Sequence, residues 1–137
     1  MKKIAPKYNY IFLISFLILA DQGVKYLIRH FDGFYICNPG ISFGFLIPNI
    51  IFYPLVVVVF VISCLYLWEK VNFKEFYLNK IGLSFILGGA MANLIDRYNH
   101  GCVIDFIDLK FFPVFNLADI FITIGAIIII MKSSKTK

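Results

Sequence analysis

Long apolar stretches separated by short polar segments dominate the chain, and they predict four membrane-spanning helices. A bilayer core about 30 Å thick is crossed by about 20 mostly apolar helical residues. Charge-poor stretches of about this length cover residues 8–28, 50–68, 81–95 and 114–131. The third stretch is rich in Gly and Ala, which lets membrane helices approach closely. The pattern therefore predicts an all-α integral membrane protein that forms a single membrane-embedded domain, residues 1–137.

Two of the polar segments between these stretches have the residue pattern of short strands. Residues 34–45 are aromatic and β-branched around an Asn-Pro-Gly turn, which favours a short hairpin or an extended flap. In residues 102–112, successive side chains would point to opposite faces of an extended strand. A small β-sheet or flap at one end of the helices is therefore expected.

The basic residues predict how the helices are oriented. Nine of the 13 Lys and Arg residues lie in the two terminal tails and in the segment between the second and third stretches. By the positive-inside rule, both termini are then cytoplasmic and the small sheet is extracytoplasmic. Six of the eight acidic residues fall on the outer side, and all six are aspartates. Ionisable groups at membrane depth are costly, so those present usually serve a function.

The composition excludes several classes of protein. With 61% hydrophobic and 15% charged residues, the 137-residue chain is too apolar for a soluble domain or a disordered segment. The net charge of +5 is not clustered on one face, so no nucleic acid partner is expected. The three cysteines lack the spacing of a zinc site. Whether Cys37 and Cys102 pair is left open, because pairing requires an oxidising compartment.

Asp105 and Asp119 are the strongest candidates for chemistry. Asp119 lies about one turn inside the fourth stretch, where no nearby Lys or Arg neutralises it, and Asn116 shares its helical face. Asp105 lies 14 residues earlier, and a short loop through Pro113 can bring the two together. Two adjacent carboxylates hold a single proton with a water between them, which supplies a general acid and a general base. Which of the two holds the proton is left open.

Two further polar clusters lie near the ends of predicted helices. Asp21 and Lys25 have the i, i+4 spacing of a favourable ion pair. Asn93 and Asp96 share one helical face, and Arg97 can compensate a carboxylate or bind a lipid phosphate. Structural salt bridges are the favoured interpretation of both clusters, and a functional role is left open.

Other activities compete with an aspartic pair. Residues 40–44 fit the G-x-S-x-G pattern of a serine nucleophile, but that motif requires an α/β sheet, which so short and apolar a chain cannot form. A dyad of Ser42 with Lys25 is similarly weak, and no carboxylate pair has metal-ligand spacing on one helix. A small transporter or assembly factor that uses Asp119 as a proton relay is the non-enzymatic alternative.

Five short motifs, taken in order along nearly the whole chain, resemble those of the lipoprotein signal peptidases, the type II signal peptidases of bacteria. The motifs are Asp21-Gln22-x-x-Lys25, Asn38-x-Gly40-x-Ser42-Phe43-Gly44, Gly88-Gly89-Ala90-x-x-Asn93-x-x-Asp96-Arg97, Gly101-x-Val103-x-Asp105-Phe106, and Phe115-Asn116-x-Ala118-Asp119 with Gly125 further on. The resemblance implies four membrane helices, cytoplasmic termini, and a small extracytoplasmic sheet and flap.

The resemblance also implies an activity. Family members are aspartic endopeptidases that remove the signal peptide from diacylglyceryl-modified prolipoproteins, cutting before the lipidated cysteine. By the matched motifs, Asp105 and Asp119 would form the catalytic dyad, with no metal and no cofactor. The residues expected to bind substrate or brace the site are Asp21, Lys25, Asn38, Gly40, Gly89, Asn93, Asp96, Arg97, Asn116 and Ala118.

The same resemblance implies partners and a location. The expected partners are lipid-modified prolipoproteins and membrane lipid, and the expected state is a monomer. The expected location is the bacterial cytoplasmic (inner) membrane, with the active site on the extracytoplasmic side.

Overall fold

The computed structural model describes residues 9–40, 58–63, 65 and 76–133. Helix α1 spans Asn9–His30, α2 spans Phe76–His100 and α3 spans Leu117–Ser133. Strand β1, Ile36–Asn38, follows α1, and strand β2, Val103–Asp105, follows α2. Residues 58–63 and 65 are also helical. The predicted combination of a mostly helical chain with a small sheet is confirmed.

The observed helices differ from the predicted stretches mainly at their ends. Helix α2 continues beyond residues 81–95 in both directions. It continues at its carboxyl end because the polar residues near Asp96 are paired inside the bundle and do not end the helix. Helix α3 begins at Leu117, since Asn116 caps it. Most of the predicted stretch 50–68 lies outside the described residues. Among the described helices, Tyr10–His30 alone has the length and apolar composition to cross a membrane by itself.

Helix α2 lies between α1 and α3 and packs against both. Glycines permit the close approach to α3: Gly82 lies against Gly125, and Gly89 lies against the backbone of Ala118. Small residues of this kind allow membrane helices to pack with their backbones in contact. A Cβ added at Gly89 would overlap the carbonyl oxygen of Ala118. The first turn of α3 is therefore fixed in position beside α2.

The bundle exposes apolar side chains and buries charged ones, which is the reverse of a soluble protein. On α1, Phe12 is 75% exposed and Leu19 is 71% exposed, whereas Asp21 and Lys25 are completely or almost completely buried. Charged groups in such an interior are stable only when they are paired. The apolar outer face of α1 suits a lipid environment.

Residues in the left-handed conformation end α1 and α2 and direct the chain into the sheet. Asp32 has a φ of 52°, and the N–H of Gly33 donates to the carbonyl of Ile28 at 2.8 Å, which is a Schellman ending. Gly101 has a φ of 71°, and its N–H donates to the carbonyl of Arg97 at 3.0 Å. Glycine adopts this conformation without steric penalty. Both helices therefore end on the same side of the bundle, next to the sheet.

Strands β1 and β2 pair antiparallel, with Ile36 opposite Asp105. The strand in the predicted hairpin segment thus pairs with a distant strand, and residues 41–45 of that segment lie outside the described part of the chain. All three residues of β2 are buried, and α2 packs against this strand. A disulfide joins Cys37 to Cys102, with the two Cα atoms 5.5 Å apart, and answers the question that the sequence left open.

Candidate active site

Asp105 is the last residue of β2 and is 2% exposed. Asn38 of β1 donates from Nδ2 to its Oδ2 at 2.9 Å, and Asn116 donates from Nδ2 to its Oδ1 at 2.7 Å. Burial raises the pKa of Asp105, the hydrogen bond from Asn38 opposes the rise, and the negative charge of Asp119 adds to it. The fold therefore favours the protonated form of Asp105.

Asp119 lies in the first turn of α3, where it forms a reciprocal cap with Asn116. The N–H of Asp119 donates to Oδ1 of Asn116 at 2.9 Å, and the N–H of Asn116 donates to Oδ2 of Asp119 at 3.1 Å. This arrangement is a capping box built from Asn and Asp. Asn93 of α2 donates from Nδ2 to Oδ1 of Asp119 at 3.0 Å. Both carboxylate oxygens of Asp119 therefore accept a hydrogen bond, one from α2 and one from the start of α3.

Asn116 links the two aspartates. It is completely buried, and its Nδ2 also donates to Oδ1 of Asn93 at 2.9 Å. Each of the two aspartates is therefore one hydrogen bond away from Asn116, although one is on a strand and the other on a helix. The Nδ2 of Asn116 thus donates to Asn93 and Asp105, and its Oδ1 accepts from the N–H of Asp119, so both ends of the amide are hydrogen-bonded.

A buried charge cluster lies next to the asparagines. The Nζ of Lys25 forms ion pairs with Asp21 and Asp96, each at 2.7 Å, and donates to Oδ1 of Asn93 at 3.2 Å. The ion pair between Asp21 and Lys25 was predicted from their spacing. Its extension to Asp96 depends on the packing of α1 against α2. Removing one partner of such a cluster would cost about 3–5 kcal/mol, because a buried charge would be left unpaired.

The carboxylates of this cluster also hold the elements that carry Asp105 and Asp119. Asp21 accepts a hydrogen bond from the N–H of Ala118 in α3 at 2.8 Å. Asp96 accepts one from the N–H of Ile104 in β2 at 3.1 Å. The cluster thus joins both elements to α1 and α2.

Asp105 and Asp119 line one cavity of about 660 Å³. Asn38, Asn93 and Arg97 supply further polar groups, and the rest of the lining is mainly apolar side chains from α2, α3 and residues 109–115. A volume of this size is typical of ligand-binding sites. Nearby, Arg97 donates from Nη2 to the carbonyl of Gly40 at 2.8 Å, which joins α2 to the segment after β1.

The structure places the two predicted catalytic residues and the ten predicted binding or bracing residues in or beside this region. Asp105 and Asp119 line the cavity, and the residues around them have three kinds of role. The first kind comprises the amides that contact the two aspartates, those of Asn38, Asn93 and Asn116. The second is the charge cluster of Asp21, Lys25 and Asp96. The third comprises residues that act through backbone contacts or close packing: Gly40, Gly89, Arg97 and Ala118.

One contributor was missed. Gln22 donates from Nε2 to Oδ1 of Asp96 at 2.8 Å and to the carbonyl of Ala92 at 3.1 Å. Its position beside Asp21 in the first motif was the available signal. Of the competing groups, Ser42 lies outside the described residues, and Lys25 is occupied by the two aspartates. Among residues 9–40, 58–63, 65 and 76–133, no group of three His, Cys, Asp or Glu side chains is arranged to hold a metal ion.

Comparisons with known proteins agree with the sequence motifs. The family model described as signal peptidase (SPase) II matches residues 13–135. A lipoprotein signal peptidase of Caldanaerobacter subterraneus subsp. tengcongensis is 40% identical, and the match covers 87% of this chain and 91% of the relative. A lipoprotein signal peptidase of Brucella ovis is 39% identical, and the match covers 89% of this chain and 87% of the relative.

The fold is similar to that of a bacterial membrane enzyme whose structure was solved by the in meso method. The TM-score is 0.81 at 26% sequence identity, and the match covers 93% of this chain and 88% of the other. A second bacterial membrane enzyme structure, solved by the same method, gives a TM-score of 0.75 at 25% identity.

Proposed function

Because the chain belongs to the signal peptidase II family, we propose that it is an intramembrane aspartic endopeptidase of the bacterial cytoplasmic membrane. It removes the signal peptide from diacylglyceryl-modified prolipoproteins by cutting before the lipidated cysteine. One observation carries the proposal: Asp105 and Asp119 line the same cavity, and each is hydrogen-bonded to Asn116.

The surroundings of the two aspartates support different roles for them. Asp105 is buried, and its pKa is raised, so it holds the proton and acts as the general acid. Both carboxylate oxygens of Asp119 accept hydrogen bonds, from Asn93 and from the N–H of Asn116, and we assign it the role of general base. In aspartic sites, the acid and base roles are divided between two carboxyl groups by the different environments of those groups.

The reaction then proceeds through a water held between the two groups. Asp119 takes a proton from this water, and the hydroxide formed attacks the carbonyl carbon of the scissile peptide bond. Asp105 donates its proton to the carbonyl oxygen, which gives a tetrahedral diol. Asp119 then transfers its proton to the leaving nitrogen, the C–N bond breaks, and a hydroxyl of the diol returns its proton to Asp105.

The cavity suits a lipid-anchored substrate. Its lining is mainly apolar, with the polar groups concentrated at the aspartates and at Asn38 and Asn93. An apolar signal helix and two acyl chains remain in lipid, so they hold the cleavage point at a fixed depth. We assign to these two asparagines, which contact Asp105 and Asp119, the binding of the peptide backbone near the scissile bond.

The topology of the helices supports four membrane spans with cytoplasmic termini. Helices α1 and α2 both end beside the sheet, and the first residues of α2 lie at the opposite end of the bundle. We propose that the apolar stretch 50–68 forms the remaining span and links the two ends. The disulfide between Cys37 and Cys102 supports an oxidising, extracytoplasmic location for the sheet and the site. The enzyme acts as a monomer in this scheme.

The proposal is tested with Asp105→Asn and Asp119→Asn, each purified and reconstituted in proteoliposomes with a diacylglyceryl-modified precursor. Both changes are nearly isosteric, so each variant should accumulate in the membrane and yet show no cleavage. Asp108→Asn is the matched control, because Asp108 bonds to Lys110 and is not part of the cavity lining. This control should cleave like the wild type.

Cleavage is followed by the shift of the precursor on a gel, and mass spectrometry identifies the bond that is cut. The same precursor without its diacylglyceryl group should remain intact. Full activity of either the Asp105 or the Asp119 variant would refute the aspartic mechanism. Absence of processing by the wild-type protein would refute the peptidase assignment and favour a transporter or assembly factor.

A further inference from the structure

We propose that the disulfide between Cys37 and Cys102 is a positioning element of the active site. It keeps Asn38 hydrogen-bonded to Asp105, and cleavage therefore depends on the oxidation state of the two cysteines. This inference rests on the proposed function, since its effect is read out through cleavage by the aspartate pair.

In the described part of the chain, strand β1 is held mainly by its pairing with β2. It consists of three residues, and its burial is low, with Ile36 41% exposed. Its pairing partner within the described residues is β2, in a two-stranded sheet. Isolated two-stranded ribbons are marginally stable in water. The backbone ladder alone is therefore a weak restraint on Asn38, the last residue of β1.

The disulfide connects this exposed strand to a fixed part of the bundle. Cys102 is 3% exposed and lies between Gly101, the residue that follows α2, and Val103, where β2 begins. Cys37 is exposed and directly precedes Asn38. The cross-link closes a loop with a sequence separation of 65 residues. Closing a long loop strongly limits the conformations that the open form can reach.

The consequences of releasing β1 would fall on the site itself. Among the residues that the structure describes, the side chains that donate to Asp105 are those of Asn38 and Asn116. The Oδ1 of Asn38 also accepts from the N–H of Gly40 at 3.0 Å, and the Gly40 carbonyl accepts from Arg97. Without the disulfide, Asp105 would lose a hydrogen-bond partner, and the cavity would lose the wall that Asn38 contributes.

The redox step is thiol–disulfide exchange. Formation of the bond joins Sγ of Cys37 to Sγ of Cys102 and releases two protons and two electrons. A disulfide-bearing exchange partner accepts both electrons and becomes a dithiol. In the opposite direction, dithiothreitol reduces the cysteines and is itself oxidised to its cyclic disulfide.

The test compares the wild type with the double variant Cys37→Ser/Cys102→Ser, each before and after dithiothreitol treatment, in the proteoliposome assay. Thiol alkylation followed by mass spectrometry measures the extent of reduction. Complete reduction should lower the kcat of the wild type about tenfold, the effect of leaving a buried carboxyl group without one of its hydrogen-bond partners. The double variant should have this lower kcat under both conditions. Cys64→Ser is the matched control and should respond to reduction like the wild type.

Asn38→Ala separates positioning from general stabilisation. In this background, reduction should cause no further loss of kcat, because the residue through which the disulfide acts is already absent. A merely structural disulfide would instead lower kcat by the same factor in both backgrounds. Loss of the Asn38 hydrogen bond should also raise the pKa of Asp105 and move the alkaline limb of the pH profile upward, while Asp119 and Lys25 still act on Asp105 from α3 and α1.

The outcomes distinguish the two proposals. If the oxidised wild type does not cleave the lipidated precursor, the proposed function is wrong, and the inference that rests on it is withdrawn. If it cleaves and complete reduction leaves kcat unchanged, the positioning role of the disulfide alone is wrong. An equal loss of kcat in the wild type and in Asn38→Ala would likewise overturn the positioning role.

Discussion

Substitutions at Asn116 test how far the site depends on one shared asparagine. Asn116→Ser keeps a side-chain oxygen that can cap α3, but it removes the amide that donates to Asp105 at 2.7 Å and to Asn93 at 2.9 Å. Asn116→Ala removes the cap to Asp119 as well. The two variants therefore separate the capping role of this residue from its role between the aspartates.

The expected magnitudes follow from these contacts. Loss of a helix cap costs about 0.5–2 kcal/mol, so Asn116→Ala should be less stable than Asn116→Ser by about 1 kcal/mol. A buried group that is left without its hydrogen-bond partner costs about 1–3 kcal/mol, which corresponds to a roughly 5- to 150-fold fall in kcat. Because both variants lose the bond to Asp105, both should show a fall in this range.

Two measurements check this prediction. Thermal unfolding in detergent gives the stability difference, and cleavage of the lipidated precursor under saturating conditions gives kcat. Full kcat in Asn116→Ser would show that the aspartates do not need a common hydrogen-bond donor. Equal stability of the Ser and Ala variants would show that the cap seen in the structure adds nothing to the stability of α3.

Two other predictions concern helix packing and pH. Gly89→Ala should sharply lower both thermal stability and cleavage, because the added Cβ would overlap the Ala118 carbonyl oxygen and displace the first turn of α3. Gly23→Ala is its matched control, since the added Cβ has no packing neighbour within 4 Å beyond the adjacent residues and the backbone of its own helix. This variant should be as stable as the wild type or more stable by up to about 1 kcal/mol in thermal unfolding. For pH, the raised pKa of Asp105 means that its contribution to stability is fully present below the ordinary value of 3.8 and is lost as pH rises through the raised value. The melting temperature of the wild type relative to Asp105→Asn should therefore fall as pH rises above the ordinary value of 3.8, and a difference that does not vary with pH would contradict this assignment.

Features set by local spacing were accessible from the sequence. The apolar stretches indicated where helices lie, and the i, i+4 spacing of Asp21 and Lys25 predicted an ion pair that is present at 2.7 Å. Asn116 and Asp119 were expected on one helical face. Their three-residue spacing also fits the capping box that starts α3, a signal that explains why the helix begins later than the apolar pattern indicated.

Features that depend on how distant segments pack were decided by the tertiary structure. The sequence could not show that Asp96 shares Lys25 with Asp21, because this contact requires α1 and α2 to lie side by side. Nor could it show that Asn38 donates to Asp105 or that Cys37 pairs with Cys102, since both depend on the pairing of β1 with β2. The physical reason is that a helix or a cap satisfies hydrogen bonds within a few residues, whereas a buried polar group takes whichever partner the packed backbone brings within about 3 Å.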